Sequence, residues 1–172
     1  MKRIRSVHDS LILGLDPGPE TSGVVLVTNE YPPRIRYACA ELEIKHIKLP
    51  NNTAYTVIEW LSSYGTIVGE NTFRTALVAG QIKERSEAMG IAAYLIKRPE
   101  ASHILTGQRG AKDKHTKAAI REIYQDAGMA YGGGADPTKG TKKYPGPLYG
   151  ISSHAWDALA VIIAWMRKTY GY

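Results

Sequence analysis

The sequence predicts an α/β domain built on a mixed sheet of five strands, with helices on both faces. Three short apolar or alternating segments, at residues 11–15, 23–27 and 34–44, follow one another near the start, and the turn Asp16-Pro17-Gly18-Pro19 separates the first two. Strands joined by short turns pair antiparallel. Further along, strands alternate with helices, which is typical of parallel pairing. We therefore expect an antiparallel meander that continues into parallel strands.

The remaining elements follow from periodicity and from stop signals. The spacing of Val57, Ile58 and Leu61 predicts a helix over 53–64, and a short strand is expected at 66–68. We predict helices over 75–89 and about 112–126, with a strand over 91–96 between them. Residues 129–150, rich in Gly, Pro and Lys, form a long basic loop. The last helix runs from near 152–153 to 168.

Length and composition favour one globular domain over residues 1–172. The chain is 44% hydrophobic, and its length suits a single core. The longest apolar run, 158–166, is too short to span a bilayer, and the start becomes polar before a signal-peptide core could form. A single cysteine, Cys39, excludes an internal disulfide and a cysteine-rich zinc cluster. We expect a soluble, intracellular protein without a membrane partner.

The positive charge is concentrated in one region of the chain. The net charge is +6 overall, and residues 97–143 alone hold ten Lys and Arg against five Asp and Glu. Such an excess favours a polyanionic partner, because each neutralised phosphate releases counterions. The alternative is a solvated basic surface without a partner.

Three carboxylates occupy surroundings that are otherwise apolar. Asp16 closes the first strand, Glu70 follows the predicted strand at 66–68, and Asp157 lies in the apolar last helix with His154 three residues earlier. A buried, unpaired carboxylate costs several kcal/mol, so it must be paired, protonated or metal-bound. Together the four residues form an oxygen-rich site suited to Mg²⁺ or Mn²⁺. Taken singly, Asp16 could cap a turn, Glu70 could be an exposed loop residue and His154 a helix-start histidine.

Three segments resemble the RuvC family of Holliday-junction resolvases, in the RNase H-like superfamily. They are Ile12-Leu13-Gly14-Leu15-Asp16-Pro17-Gly18 with Ser22-Gly23, Val68-Gly69-Glu70-Asn71-Thr72-Phe73 with Gly80-Gln81, and His154-Ala155-Trp156-Asp157-Ala158-Leu159-Ala160. Their order and spacing match over roughly 11–165. The resemblance implies an RNase H-like fold and a phage-type or otherwise divergent member, because the stretch from Phe73 to Gly80 is short and 131–149 looks like an insertion.

The resemblance also implies an activity and its residues. Asp16, Glu70, His154 and Asp157 would bind two divalent ions and catalyse phosphodiester hydrolysis that leaves a 5′-phosphate and a 3′-hydroxyl, with Lys114 beside the scissile phosphate. A homodimer, formed through the helix over 75–89, would place paired nicks in a four-way DNA junction. The location would be the cytoplasm of a bacterium or of a phage-infected host cell. The DNA contacts are expected at Phe73, Arg74, Arg109, Lys112, Lys114, Lys117, Lys139, Lys142 and Lys143.

Other functions stay open at this stage. A nuclease of the same superfamily could act on flaps, duplex DNA or RNA–DNA hybrid, and a protein that has lost cleavage could bind branched DNA only. A nucleotide-binding protein of the actin and sugar-kinase type also opens with a strand, an Asp and a Gly turn. That fold needs two lobes and roughly twice this length, so the chain does not fit it.

Overall fold

A computed structural model of the protein describes residues 10–62 and 69–172. Its sheet has five strands in the order β3-β2-β1-β4-β5. They are β1 (Leu11–Pro17), β2 (Thr21–Thr28), β3 (Ile35–Glu43), β4 (Thr53–Trp60) and β5 (Ala92–Lys97). β2 pairs antiparallel with β1 and β3, whereas β4 pairs parallel with β1 and β5. The predicted mixed sheet, a meander followed by parallel strands, is confirmed.

Helices cover both faces of this sheet, as predicted. They are α1 (Glu70–Ala88), α2 (Arg98–Thr106), α3 (Asp113–Asp126) and α4 (Ala155–Tyr170). α1 packs on one face, and α4 packs on the other together with α2 and α3. A 3₁₀ turn, Ile44–His46, precedes β4. No helix in the described part of the chain is both long and apolar enough to cross a membrane.

The helix predicted over 53–64 is wrong, because residues 53–60 form the central strand β4. Val57 and Ile58 are both fully buried, one on each face of the sheet. A strand buried on both faces reads as a continuous apolar run, which short periodicity cannot distinguish from a helix. The β-branched and aromatic residues of Thr53–Trp60 favour a strand. The strand predicted at 66–68 lies outside the described residues, and α2 was absent from the prediction.

The face that holds α1 forms a separate apolar cluster. Leu15 and Ile58 of the sheet are completely buried there, in the same cluster as Val78 and Ile82 of α1. Full burial of such side chains contributes about 1.5–3 kcal/mol each. Within this layer the Ser86 hydroxyl hydrogen-bonds the Thr56 hydroxyl over 3.0 Å, fixing α1 on β4.

Residues 129–150 form the expected loop, and it is folded on itself. Gly140 and Pro145 form an isolated antiparallel bridge, and Leu148 is completely buried. The Asp136 carboxylate accepts bonds from Thr138 and from Arg121 of α3. The Arg121 guanidinium in turn lies 5.1 Å from the ring centre of Trp156 in α4. The loop is thereby tied to the start of the last helix.

The first turns of α4 lie against the backbone of β1 and β2 at two glycines. A Cβ atom on Gly14 would lie 2.5 Å from the Ala158 carbonyl oxygen, and one on Gly23 would lie even closer to the His154 carbonyl oxygen. Real side chains do not tolerate such distances, so any other residue would push the helix away. These two positions therefore set how closely α4 approaches the sheet.

Substituting Gly23→Ala is expected to destabilise the protein by about 1–3 kcal/mol, because the added methyl group overlaps the His154 backbone. Urea unfolding monitored by circular dichroism measures this change. Gly80→Ala is the matched control: Gly80 lies inside α1 with open space around its Cβ position, so alanine there should stabilise by about 1 kcal/mol. Equal stability of Gly23→Ala and the wild type would contradict the close packing.

Candidate metal centre

Two acidic side chains lie side by side at the carboxyl ends of the parallel strands β1 and β4. Leu15 pairs with Ile58, so Asp16 and Glu59, the next residues, are neighbours across the sheet. Both point to the α4 face, because the residues two positions earlier in each strand pack against α4. Their side chains are only 12% and 13% exposed. This edge of a parallel sheet is where α/β proteins commonly bind ligands.

The start of α4 adds two further ligand-type side chains. His154 immediately precedes the helix, and its Nδ1 lies 2.8 Å from Oδ2 of Asp16. Asp157 lies in the first turn, and Asp16, His154 and Asp157 each offer a ligand atom within 4.8 Å of the others. Ser153, just before His154, adopts a positive φ of 40°. Left-handed backbone at a non-glycine residue is a strained conformation that clusters at functional sites.

Arg98, the first residue of α2, is a cation in contact with this acidic group. Its Nη2 hydrogen-bonds Oδ2 of Asp157, and its Nε lies 3.9 Å from Oε1 of Glu59. The same Nη2 lies 3.9 Å from Oδ2 of Asp113 at the start of α3. The ends of β1, β4 and β5 and the starts of three helices therefore meet at one charged cluster.

Burial and mutual repulsion change the titration of the two strand carboxylates. Burial, with the negative charge of Asp16 next in importance, raises the pKa of Glu59 to about 8 from its usual value of 4.5. Burial also raises the pKa of Asp16, and the charge of Asp157 adds to this rise, while the hydrogen bond from His154 opposes it. Oε2 of Glu59 is buried and has no hydrogen-bond partner among the described residues. The site thus has too little positive charge for its carboxylates.

Glu70, which the sequence analysis placed in this site, lies elsewhere. The structure makes it the first residue of α1, with a side chain 77% exposed and paired with Arg74 one turn later over 2.8 Å. It is not in the Asp16, His154 and Asp157 group. Residues 53–64 were expected to form a helix, but they contain β4 (Thr53–Trp60), the strand beside β1, and the acid near its carboxyl end is Glu59. Asp16, His154 and Asp157 are brought together as predicted.

Sequence reasoning missed Glu59 and Arg98 for separate reasons. Glu59 was hidden inside a segment interpreted as a helix, although an acid after the fully buried pair Val57 and Ile58 is the same signal that identified Asp16. Arg98 carried no signal of its own, since one cation among ten in the basic region is unremarkable. Its partners are apparent only in the structure, where the end of β5, which leads directly into Arg98, lies close to α4.

The predicted DNA-contacting residues lie on several exposed surfaces. Lys112 and Lys114 flank Asp113 at the start of α3, beside the acidic cluster, and both are exposed. Phe73 is 66% exposed on α1. The other basic residues are exposed or half-buried, on α1, on α3 and in the loops around it: Arg74, Arg109, Lys117, Lys139, Lys142 and Lys143. Lys143 lies over the ring of the exposed Tyr144, 5.2 Å from its centre.

The fold is similar to that of RuvC structures from Thermus thermophilus. RuvC in complex with a Holliday junction substrate superposes with a TM-score of 0.62 and 15% sequence identity, over 94% of each chain. A second RuvC structure gives a TM-score of 0.61 at 15% identity, over 94% of this chain and 96% of that one. No protein-family model matches the sequence, and no curated protein matches it. The structures confirm the RNase H-like fold class and the resemblance to RuvC in fold.

Without metal, stability should fall as pH rises from about 4.5 to about 8, because the folded state holds a proton on Glu59 that the unfolded state releases. The slope for one proton is about 1.4 kcal/mol per pH unit. Glu59→Gln should flatten this slope. A smaller pH dependence should remain, because the pKa of Asp16 is also raised. Urea unfolding in EDTA at several pH values measures it. The exposed Glu70→Gln is the control and should keep the wild-type slope; parallel curves for Glu59→Gln and wild type would contradict the assignment.

Proposed function

We propose that this protein is a metal-dependent endonuclease that cuts branched DNA, with the four-way junction as its principal substrate. The observation that carries the proposal is the convergence of Asp16, His154 and Asp157 within 4.8 Å, beside Glu59, at the carboxyl edge of the sheet. The support from outside the chain is the shared fold with RuvC, one structure of which contains a Holliday junction substrate.

The donor set fits divalent cations that prefer oxygen ligands. Asp16, Glu59 and Asp157 would supply carboxylate oxygens and His154 a ring nitrogen, a combination suited to Mg²⁺ or Mn²⁺. The partnerless buried Oε2 of Glu59 supports the fit, because a buried carboxylate oxygen of this kind requires a cation or a proton. We propose two ions per site, which Asp16 would help to hold. Bound there, such ions lower the pKa of coordinated water and stabilise charge on the oxygens of a phosphodiester.

The chain's own residues have distinct tasks in this proposal. The hydrogen bond from His154 fixes the carboxylate of Asp16, the ligand on the central strand. Lys112 and Lys114, exposed beside the cluster, would hold the phosphate to be cut, and the start of α3 adds backbone N–H groups that favour an anion. The products would carry a 5′-phosphate and a 3′-hydroxyl. We propose the cytoplasm of a bacterium or of a phage-infected host cell as the location of this activity.

Paired cuts across a junction need two copies of the site, and we propose a homodimer formed through α1. Leu77 is 63% exposed in the middle of this helix, and Phe73, one turn earlier, is 66% exposed. Large apolar side chains exposed together on one helix are typical of an interaction surface. Phe73, at the end of this surface, would be one of the DNA contacts that the sequence predicts.

Asp16→Asn should reduce Mg²⁺-dependent nicking of a synthetic four-way junction at least about 100-fold while DNA binding is kept, because the basic residues are untouched. Glu59→Gln should show the same loss, and Glu70→Gln, outside the cluster, should cut at the wild-type rate. Gel assays with labelled strands measure cleavage, and mobility shifts in EDTA measure binding. Nicking by Asp16→Asn at the wild-type rate would refute the site.

The same assay on a panel of substrates tests the substrate class. We expect faster cleavage of the four-way junction than of a flap, a duplex or an RNA–DNA hybrid. A preference for one of the last three would move the protein to the other nuclease activities of this fold. Binding to the junction with no cleavage in Mg²⁺ or Mn²⁺ would identify a branched-DNA-binding protein.

Replacing Lys139, Lys142 and Lys143 together by Gln should weaken junction binding and flatten its salt dependence. The slope of log affinity against log salt should change by about 0.9 for each phosphate that the variant no longer neutralises. Fluorescence anisotropy at several salt concentrations measures the slope. Lys168→Gln, which removes a lysine paired with Glu100 near the end of α4, is the control and should leave it unchanged. An unchanged slope in the triple variant would show that this loop does not touch DNA.

A further inference from the structure

Arg98 contacts carboxylates that would hold a divalent cation in the proposed metal site. Its guanidinium hydrogen-bonds Asp157 and is 3.9 Å from both Glu59 and Asp113. Asp157 also belongs to the group whose ligand atoms lie within 4.8 Å of one another, and Glu59 is the neighbour of Asp16 across the sheet. The guanidinium therefore contacts Asp157 directly and lies near Glu59, two of the carboxylates that the proposed metal site needs.

The position of Arg98 in α2 is not explained by the helix itself. Arg98 is the first residue of that helix, where the unpaired N–H groups and the helix dipole disfavour a positive charge. Its side chain is still 41% exposed, so solvent is available to the guanidinium on one side. The acidic cluster thus holds the side chain in place, and a path to solvent is open if that attraction is removed.

We propose that Arg98 is an internal counter-ion that competes with the divalent cation for Asp157 and Glu59. This inference rests on the metal site of the proposed function. In the metal-free protein the guanidinium holds the carboxylates together, and cation binding displaces it toward solvent. A guanidinium and a divalent cation on the same carboxylates repel each other, so occupancy by one weakens the other. Arg98 is thereby a positioning residue that sets the metal concentration at which the site fills.

The test is the affinity for Mn²⁺ in the absence of DNA, measured by titration calorimetry. Removing the competitor in Arg98→Gln should tighten Mn²⁺ binding about tenfold, and Arg98→Lys, which keeps the charge, should stay closer to the wild type. A merely structural arginine would give the opposite sign, because a misplaced Asp157 binds metal less well. The control is Arg34→Gln, which breaks an arginine–glutamate pair outside the cluster and should leave the Mn²⁺ affinity unchanged.

A second measurement uses the wild-type protein alone, so it does not depend on whether a variant folds. In EDTA the Arg98 Nε–H resonance of ¹⁵N-arginine-labelled wild-type protein should be shifted and protected by its carboxylate partners, and saturating Mg²⁺ should move it toward the solvent-exposed position. A resonance that does not respond to Mg²⁺, or an equal or weaker Mn²⁺ affinity in Arg98→Gln, would overturn the inference. Failure of the proposed metal site would give a different result. The wild type would then bind no Mn²⁺, or Asp16→Asn would not abolish the binding.

Discussion

The contact between α4 and the backbone of β1 and β2 is the constraint on which the rest of the site depends. Gly14 and Gly23 leave no room for a Cβ atom, so the helix rests directly on the strands. At that separation His154 reaches Asp16 over 2.8 Å, and Asp157 enters the same cluster. A helix held farther from the sheet by side chains would leave the strand carboxylates without these partners.

That close packing creates the electrostatic problem that Arg98 relieves. Asp16 and Glu59 are drawn out of water beside each other, and the pKa of Glu59 rises to about 8 because burial and the charge of Asp16 both favour its protonated form. A group of carboxylates that is this poorly neutralised is stable only with a proton, a guanidinium or a metal. In the structure the Arg98 guanidinium contacts Asp157 and lies 3.9 Å from Glu59, so it balances part of the negative charge of the cluster.

The sequence was sufficient for the mixed plan of the sheet, although not for the position of β4, and for the convergence of three of the four predicted site residues, because those signals are local. Asp16 after an apolar strand, and Asp157 inside an apolar helix one turn from His154, are anomalies visible within a few residues. Glu59 gives the same kind of signal but was not recognised. A strand buried on both faces has no hydrophobic periodicity that distinguishes the strand from a helix. The contacts of Arg98 depend on the order of the strands and the placement of the helices, which cannot be predicted from a short segment of sequence.

The chain order of the site has a consequence for its biosynthesis. Asp16 and Glu59 lie in the first third of the chain, whereas His154 and Asp157 come about a hundred residues after Glu59. Proteins emerge from the ribosome amino-terminus first, so β1 and β4 are synthesised before the helix that adds His154 and Asp157. The group of Asp16, His154 and Asp157 can therefore form only after α4 has been synthesised.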